Sequence, residues 1–324
     1  MKTNAVRFHE TGGPEVLRYD KVDVAEPGPS EALVRHTAIG LNYIDVYYRD
    51  GTYPIADLPV IDGMEGAGVV EAVGEGVDVV APGDRVTYCM ALGSYAGHRV
   101  IEAWRLIKLP DGISDQQAAA ITLRGLTVQY LLKASYPVQA GDTILVHAAA
   151  GGIGLLACQW AKHLGATVVG TVGSDAKAEI AAAHGCDHPV VYTRDSFVDK
   201  VMEVTDGEGV PAVYDSVGKD TFEDGLKCLR RLGRMVSFGT ASGPPPPVTM
   251  RQLQPKGLWV TRGGLHNYMQ TRAEMEERSA DLFGTILSAP LKIEIGQQYS
   301  LKDVAEAHRA LEARETTGST VLIP

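Results

Sequence analysis

The stretch from residue 143 to residue 174 constrains the fold of this chain more than any other. It reads TILVHAAAGGIGLLACQWAKHLGATVVGTVGS. An apolar run, Thr143–Val146, precedes a glycine-rich turn, and apolar residues then recur at helical spacing until a second strand-like run, Thr167–Val172. Such a strand–turn–helix–strand unit predicts a parallel sheet with helical crossovers.

The turn within this stretch has the spacing of a dinucleotide-binding loop. Gly151 and Gly154 occupy the second and third glycine positions of that pattern, and Ala149 stands at the first. The backbone must approach a pyrophosphate there, and the following helix points N–H groups at the anion. A tight turn alone could also require glycine. The strand before the turn and the helix after it favour a nucleotide site.

The end of the second strand predicts which dinucleotide is bound. NAD sites usually carry Asp or Glu about 20 residues after the turn, where the acid holds the ribose 2′-OH. This chain has Gly173 and Ser174 there, with Lys177 shortly after and Asp175 already in the next turn. Ser174 and Lys177 can donate to a 2′-phosphate, so we predict NADPH rather than NADH. The alternative is that Lys177 is a solvated helix residue.

The 324 residues are enough for two domains, and the pattern of elements changes along the chain. Residues 1–124 predict an irregular domain of short strands and turns. From 125 to 264, strands alternate with helices, which predicts an α/β, doubly wound parallel sheet. The strands are expected at 144–146, 168–172, 190–192, 212–214, 235–238 and 258–261, and helices at 175–184, 196–204 and 221–232. Residues 265–324, with helices at 271–288 and 301–312 and strands at 292–299 and 320–323, are expected to pack back on the first domain.

Charge and cysteine usage narrow the class of protein. A net charge of −10 disfavours a nucleic acid or an anionic membrane as the main partner. No apolar run reaches membrane-spanning length, and the first residues lack the apolar core of a signal peptide. The four cysteines are far apart and form no Cys-x-x-Cys pair, which predicts a reduced, cytoplasmic protein.

Several short motifs, taken together and in order, resemble one superfamily. They are NYID at 42–45, LPVIDGMEGAG at 58–68, PGDRV at 82–86, GLT at 125–127, AAAGGIG at 148–154 and YDSVG at 214–218. The chain resembles the medium-chain dehydrogenase/reductase superfamily, and within it the NADPH-dependent quinone oxidoreductases that include zeta-crystallin. The resemblance covers essentially the whole chain. It implies a discontinuous GroES-like β-barrel domain (1–124 and 265–324), a Rossmann domain (125–264), an active site in the cleft between them, and a homodimer formed through the Rossmann domain.

The resemblance also implies which residues hold the cofactor. These roles are inherited from the family, because composition and spacing indicate only the glycine turn and the basic strand end. The nicotinamide end is expected near Asn42, Ile44 and Asp45, the pyrophosphate near the turn, and the adenosine phosphate at the end of the second strand. The implied cofactor-binding residues are Asn42, Ile44, Asp45, Thr127, Tyr130, Gly151, Gly152, Ile153, Gly173, Ser174, Lys177, Tyr192, Val217, Phe238, Gly239, Gly264, Leu265 and His266.

The sequence departs from the zinc-dependent relatives at the metal site. Zinc members carry Cys in the region of Asn42 and His where Met64 stands, and a lobe with four closely spaced cysteines that this chain lacks. Zinc prefers thiolate, imidazole or carboxylate ligands, and Glu65 alone cannot hold it. The nine histidines are scattered without ligand spacing. We therefore predict no metal.

Quinone reduction is compatible with a site that has no metal. The aromatic ring of a reduced quinone stabilises the oxyanion, and water can protonate it, so the protein mainly positions the two reactants. Four tyrosines cluster beside Asn42, namely Tyr43, Tyr47, Tyr48 and Tyr53. We predict Tyr47 and Tyr53 near the substrate, while some of the four serve as ordinary core or surface aromatics. Arg262 either faces the cleft or pairs with a surface carboxylate.

Two other functions stay open at this point. On the same scaffold, a reductase of α,β-unsaturated ketones or aldehydes would add hydride to carbon and would favour a positioned acid such as Tyr53. A binding role is a different class, since some relatives bind RNA or serve as abundant structural proteins. The negative charge and the absence of a Lys/Arg stripe disfavour RNA. The leading expectation is an NADPH-dependent quinone reductase.

Overall fold

A computed structural model describes residues 1–289 and 291–324 of the chain. In chain order, the strands are β1 (Lys2–Phe8), β2 (Arg18–Asp23), β3 (Glu31–Leu41), β4 (Val60–Ile61), β5 (Glu65–Val73), β6 (Arg85–Cys89), β7 (His98–Glu102), β8 (Ile107–Lys108), β9 (Thr143–Val146), β10 (Thr167–Val172), β11 (His188–Val191), β12 (Val210–Asp215), β13 (Leu229–Ser237), β14 (Trp259–Thr261), β15 (Ile295–Ser300) and β16 (Ser319–Ile323). The helices are α1 (Tyr43–Arg49), α2 (Asp115–Tyr130), α3 (Gly152–His163), α4 (Asp175–Ala183), α5 (Phe197–Val204), α6 (Phe222–Cys228), α7 (Met250–Leu253), α8 (Arg272–Ser288) and α9 (Val304–Glu312).

The chain divides into two compact units. The first contains Met1–Leu126, Met269–Ser288 and Ile293–Pro324, and the second contains Thr127–Tyr268 with Ala289, Leu291 and Lys292. None of the helices in the described ranges combines the length and apolar character that crossing a lipid bilayer requires.

The second unit is built on a six-stranded sheet in the order β11-β10-β9-β12-β13-β14. Every neighbouring pair in it is parallel. The predicted parallel, doubly wound sheet is therefore confirmed. The strands β9, β10 and β12 are almost wholly buried, as expected where helices cover both faces of a parallel sheet. Leu145, Val169, Val213 and Met235 from four neighbouring strands are fully buried in one core cluster.

One predicted helix ends earlier than expected. We predicted a helix over 221–232, but α6 ends at Cys228, and β13 begins at Leu229. Leu229 is fully buried and pairs with Val210 of β12, whereas Leu232 is 56% exposed at a φ of 62°. The apolar residues at the end of the predicted helix thus do not share one face. Burial of Leu229 in the sheet outweighs the helical pattern of the sequence.

The first unit contains two sheets. One has seven strands, β15-β16-β3-β5-β6-β8 with β7 paired to β3, and the other has the order β2-β1-β4. The C-terminal strand β16 pairs antiparallel with β3, so the end of the chain is part of this unit. The predicted helix 301–312 begins with a 3₁₀ turn, Leu301–Asp303, and continues as α9.

A buried arginine fixes helix α1, which begins directly after Asn42. Arg49 is 1% exposed and donates from Nη1 and Nη2 to the carboxylate oxygens of Glu312 at 2.7 and 2.9 Å. Its Nη1 also donates to Nδ1 of His308 at 3.1 Å, and its Nε donates to the carbonyl of Gly12 at 3.1 Å. One guanidinium therefore joins α1 to α9 and to the N-terminal segment.

We expect Arg49→Ala to cost about 1.5–3 kcal/mol of unfolding free energy, because the buried ring of His308 and the carboxylate of Glu312, which is 33% exposed, both lose their hydrogen-bond donor. The measurement is urea unfolding followed by far-ultraviolet circular dichroism. Arg35→Ala is the matched control, since the 3.0 Å pair of Arg35 with Glu71 lies at the surface of the same unit, and its loss should cost less than about 1 kcal/mol. Equal costs for the two variants would contradict a structural role of the Arg49–Glu312 ion pair.

Candidate active site

The carboxyl ends of the parallel strands bring the predicted cofactor residues of the second unit to one edge of the sheet. Gly151, Gly152 and Ile153 follow β9, Gly173, Ser174 and Lys177 follow β10, Tyr192 follows β11, Val217 follows β12, Phe238 and Gly239 follow β13, and Gly264, Leu265 and His266 follow β14. The strand order reverses between β9 and β12. Open α/β sheets bind their ligands outside the carboxyl ends at such a reversal.

The glycine turn has the geometry that a pyrophosphate requires. A Cβ at Gly154 would lie 2.2 Å from the carbonyl oxygen of Ala148, so only glycine fits there. Ala148 itself has a φ of 54°, in the left-handed region that is uncommon for a residue with a side chain. Gly151 precedes the first turn of α3 without a side-chain cap among the described residues. The N–H groups of that turn are therefore presented to an anion, which fits the phosphates of a dinucleotide.

Ala149 replaces the usual first glycine because the neighbouring strand makes room for it. Its N–H donates to the carbonyl of Thr171 in β10 at 2.9 Å, so the turn lies directly beside that strand. A Cβ at Gly170 would lie 2.6 Å from the Cβ of Ala149. The methyl group of Ala149 thus fills the space that Gly170 leaves. Sequence reasoning missed Gly170, because its relation to the turn exists only across two strands.

The residues predicted for the adenosine phosphate come together after β10 and β11. Ser174 caps α4, and its Oγ accepts from the N–H of Lys177 at 3.3 Å. The N–H of Tyr192 donates to the carbonyl of Val172 at 3.1 Å. A Cβ at Gly173 would be 4.0 Å from the Tyr192 ring, and both Gly173 and Ser174 are exposed. The roles of these residues towards a phosphate stay predictions.

Two polar side chains, Asp215 and Arg262, fix the ends of β12, β13 and β14. The buried carboxylate of Asp215 accepts from the N–H groups of Val217 and Gly218 at 2.7 and 3.0 Å, which fixes the turn after β12. Arg262 donates from Nη1 to Ser237 Oγ at 3.1 Å and to the carbonyl of Gly239 at 3.5 Å. Arg262 therefore ties the end of β14 to the end of β13. This contact is not the pair with a surface carboxylate that was considered from sequence, and a position of Arg262 facing the cleft stays a prediction.

Tyr130, at the end of α2, contacts the segment after β14. Its hydroxyl donates to the carbonyl of Gly263 at 3.1 Å, and its ring stacks on Tyr268 with the ring centroids 4.4 Å apart. Burial raises the pKa of the Tyr130 hydroxyl. Thr127 lies one helical turn earlier and is 6% exposed. Tyr130 thus supports the Gly264–His266 segment, and its own contact with a cofactor stays a prediction.

In the first unit, Asn42 lies at the centre of a buried polar cluster. Its Nδ2 donates to Glu65 Oε2 at 2.7 Å, and its Oδ1 accepts from Arg124 Nε at 3.2 Å. Its backbone N–H donates to Asp45 Oδ2 at 2.8 Å, and Asp45 completes the capping box of α1. Asn42 is 4% exposed and Asp45 is fully buried. The structure therefore assigns both residues a part in fixing α1, and their contact with the cofactor stays a prediction.

Glu65 is fully engaged and is a poor candidate for a metal ligand. Besides Asn42, the N–H of Leu123 donates to its Oε1 at 2.6 Å. Burial raises the pKa of Glu65 to about 7, against the opposing effect of these donors. Met64 beside it offers only a thioether, which is also buried. Across residues 1–289 and 291–324, no group of three or more His, Cys, Asp or Glu side chains is arranged to hold a metal ion.

The four tyrosines after Asn42 form one aromatic cluster. Tyr47 lies 5.2 Å from both Tyr43 and Tyr53 between ring centroids, and Tyr48 lies 5.5 Å from Tyr53. All four are half-buried, as is Ile44 on the same helix. Burial raises the pKa of Tyr43 and of Tyr48. The clustering is as predicted, and the assignment of Tyr47 and Tyr53 to the substrate stays a prediction.

Comparison with known proteins identifies both parts of the chain. Residues 28–111 match the family described as alcohol dehydrogenase GroES-like domain, and residues 152–282 match the family described as zinc-binding dehydrogenase. The chain is 50% identical to a quinone oxidoreductase of Pseudomonas aeruginosa, over 98% of this chain and 99% of that protein.

Two further relatives are informative. The structure of Escherichia coli quinone oxidoreductase complexed with NADPH matches with a TM-score of 0.96 and 46% identity, covering 99% of this chain and all of that one. A 2-haloacrylate reductase of a Burkholderia species is 41% identical over 99% of this chain and 98% of that protein. The predicted combination of a GroES-like domain with a Rossmann domain is confirmed.

We expect Glu65→Gln to change how stability depends on pH. The folded-state pKa of about 7 lies above the ordinary 4.5, so wild-type stability from this group falls as pH rises from about 4.5 to 7. The glutamine of the variant does not titrate, so the unfolding free energy of the variant minus that of wild type should rise with pH. The rise should be up to about 1.4 kcal/mol per pH unit between pH 4.5 and 7, and the difference should level off above pH 7. Urea unfolding at pH 5, 6, 7 and 8 measures it.

Glu274→Gln is the control for this experiment. The N–H of Thr271 lowers the pKa of Glu274 below 4.5, so its titration lies outside the tested window. The unfolding free energy of Glu274→Gln minus that of wild type should not change between pH 5 and 8. A Glu65→Gln difference that is equally constant would contradict the raised pKa of Glu65.

Proposed function

Since the chain belongs to the quinone oxidoreductases of the medium-chain dehydrogenase/reductase superfamily, we propose that it reduces quinones with NADPH and without a metal ion. The observation that carries this proposal is the convergence of the glycine turn before α3 and of Ser174, Lys177 and Tyr192 at the carboxyl edge of the parallel sheet. The coenzyme supplies a hydride when bound. An active site between the two domains stays a prediction of the family resemblance.

The chain's own residues bind and orient the reactants in this proposal. The uncapped N–H groups of α3 hold the pyrophosphate, and Lys177 pairs with the 2′-phosphate, aided by the hydroxyl of Ser174. Arg262 holds the Gly239 carbonyl in place at the nicotinamide end. Tyr47 and Tyr53 offer aromatic faces and hydroxyl groups to a flat acceptor with carbonyl oxygens.

The proposal needs no metal because the acceptor supplies its own charge stabilisation. The oxyanion formed on a quinone is delocalised into the ring, whereas an alkoxide is not, and zinc serves alkoxide chemistry by stabilising that charge. Glu65, which follows Met64 in sequence and accepts from Asn42, already accepts hydrogen bonds with both oxygens. A zinc ion would have to displace these donors.

A second candidate function is supported by one specific observation. The 41% identity to a 2-haloacrylate reductase indicates that this scaffold also serves a protein named for a substrate with an activated carbon–carbon double bond. Hydride addition to such a bond needs a proton donor for the adjacent carbon. Tyr53, in contact with Tyr47 and Tyr48, is the candidate acid. Reduction of enones is therefore the alternative activity.

The proposed function is tested by NADPH oxidation, followed at the nicotinamide absorbance with 1,4-benzoquinone as acceptor. A simple enone, NADH in place of NADPH, and chelator-treated enzyme are assayed in parallel, and the metal content is measured. We expect quinone turnover with NADPH that exceeds turnover with NADH and is unchanged by the chelator. Loss of activity on chelation would refute the metal-free proposal, and turnover of the enone alone would replace quinone reduction by the alternative.

We also propose a homodimer formed through the edge strand β14, in a cytoplasmic protein. β14 pairs with β13 on one side only, which leaves its other edge open at the end of the sheet. Trp259 is 60% exposed, Val260 is 37% exposed, and Leu232 near the same edge is 56% exposed. An apolar open edge favours pairing with a second copy. The four buried free cysteines support a reducing compartment.

Sedimentation velocity tests the dimer. We expect the wild type to sediment at twice the chain mass and Val260→Lys to sediment as a monomer, because a charge at an open edge opposes strand pairing. Leu287→Lys, at an exposed apolar residue of the other unit, is the control and should remain dimeric. A monomeric wild type would refute the proposal.

A further inference from the structure

An arginine that the sequence did not single out lies beside the predicted 2′-phosphate site. Arg194 follows β11 by three residues and faces the start of α4. Its Nη1 and Nη2 donate to the two carboxylate oxygens of Asp175, each at 3.2 Å, and its Nε donates to Asp195 at 3.2 Å. This forked contact joins the loop after β11 to the first residue of α4.

Both ends of this contact adjoin residues predicted to hold the phosphate. Asp175 directly follows Ser174, the cap of α4, and Arg194 lies two residues after Tyr192. The Tyr192 ring is the neighbour that a Cβ at Gly173 would meet, so the two loops lie side by side. A phosphate at Ser174 would therefore arrive next to the carboxylate of Asp175.

The charges at this place show what Arg194 contributes. Of the residues named here, Lys177 and Arg194 are the cations, and Asp175 and Asp195 are the anions. Without Arg194 the group would have a net negative charge and would repel a phosphate that itself carries nearly two negative charges. The guanidinium has five N–H groups, and the contacts with Asp175 and Asp195 use three of them. The others can donate to a phosphate while the pair with Asp175 persists.

We propose that Arg194 determines the specificity for NADPH, by neutralising Asp175 and donating to the 2′-phosphate. This inference rests on the proposed function, because it assumes that NADPH binds at the carboxyl edge of the sheet. It adds a second cation to Lys177, and this cation comes from a different loop. The Asp175 carboxylate, which would otherwise repel the 2′-phosphate, instead pairs with Arg194 and orients its guanidinium fork.

The test is equilibrium binding by isothermal titration calorimetry, so that no turnover is needed. The probes are adenosine 2′,5′-bisphosphate and adenosine 5′-monophosphate, which differ only in the 2′-phosphate. We expect Arg194→Ala to weaken binding of the bisphosphate by about tenfold to a hundredfold, the range for a lost charge-assisted hydrogen bond. Binding of the monophosphate should change less than twofold. Arg194→Lys keeps the positive charge but loses the forked guanidinium. Its affinity for the bisphosphate should therefore lie between those of wild type and Arg194→Ala.

Lys200→Ala is the matched control, because it removes an exposed cation that pairs with a carboxylate, Glu203, in the same unit. It should leave both affinities unchanged. A purely structural role of Arg194 would weaken both probes equally, and that result would overturn the inference. So would an unchanged bisphosphate affinity in Arg194→Ala.

The two proposals can fail separately in this experiment. If wild type binds the two probes equally, NADPH specificity itself is refuted, and the inference falls with it. If wild type prefers the bisphosphate and Lys177→Ala abolishes that preference while Arg194→Ala does not, only the inference about Arg194 is refuted. Thermal unfolding of each variant establishes that a change in affinity is not a change in folding.

Discussion

The approach of Gly154 to the carbonyl of Ala148 is the contact on which the nucleotide-binding unit depends. A side chain at Gly154 would begin 2.2 Å from that oxygen, so the helix α3 could not start where it does. Because α3 starts there, its N–H groups face the carboxyl edge of the sheet, where the ends of all the parallel strands meet. The proposed function and the inference about Arg194 both follow from this one edge.

The first unit differs in that its β domain contains buried charged side chains, each of which needs hydrogen-bond partners. Asn42, Glu65 and Arg124 satisfy one another, and Arg49 joins α1 to α9 through Glu312. Each partner is needed, since a buried charge left alone costs several kcal/mol. Asn42, which caps α1, and the N–H of Leu123 together occupy both oxygens of Glu65, and this opposes metal binding there.

Sequence reasoning succeeded where a pattern is local and failed where a contact crosses elements. The strands of the second unit and the glycine turn before α3 follow from apolar runs and glycine spacing within a few residues. The end of α6 was predicted wrongly, because the burial of Leu229 against β12 outweighs local helical spacing. The contacts of Gly170 with Ala149 and of Arg194 with Asp175 join residues 19 or more positions apart, so no local pattern could reveal them.

The sequence by itself determined the fold class, the glycine turn and the family. It also showed that the second strand of the nucleotide-binding unit ends without an acidic residue, which predicts NADPH. Those features depend on periodicity, backbone freedom and short motifs, which are properties of neighbouring residues. Only the tertiary structure decided that Asn42 is held by Glu65 and Arg124, and that Asp175 is neutralised by Arg194. Those outcomes depend on which side chains meet after folding. Electrostatic interaction acts through space over a few ångströms, whatever the separation along the chain.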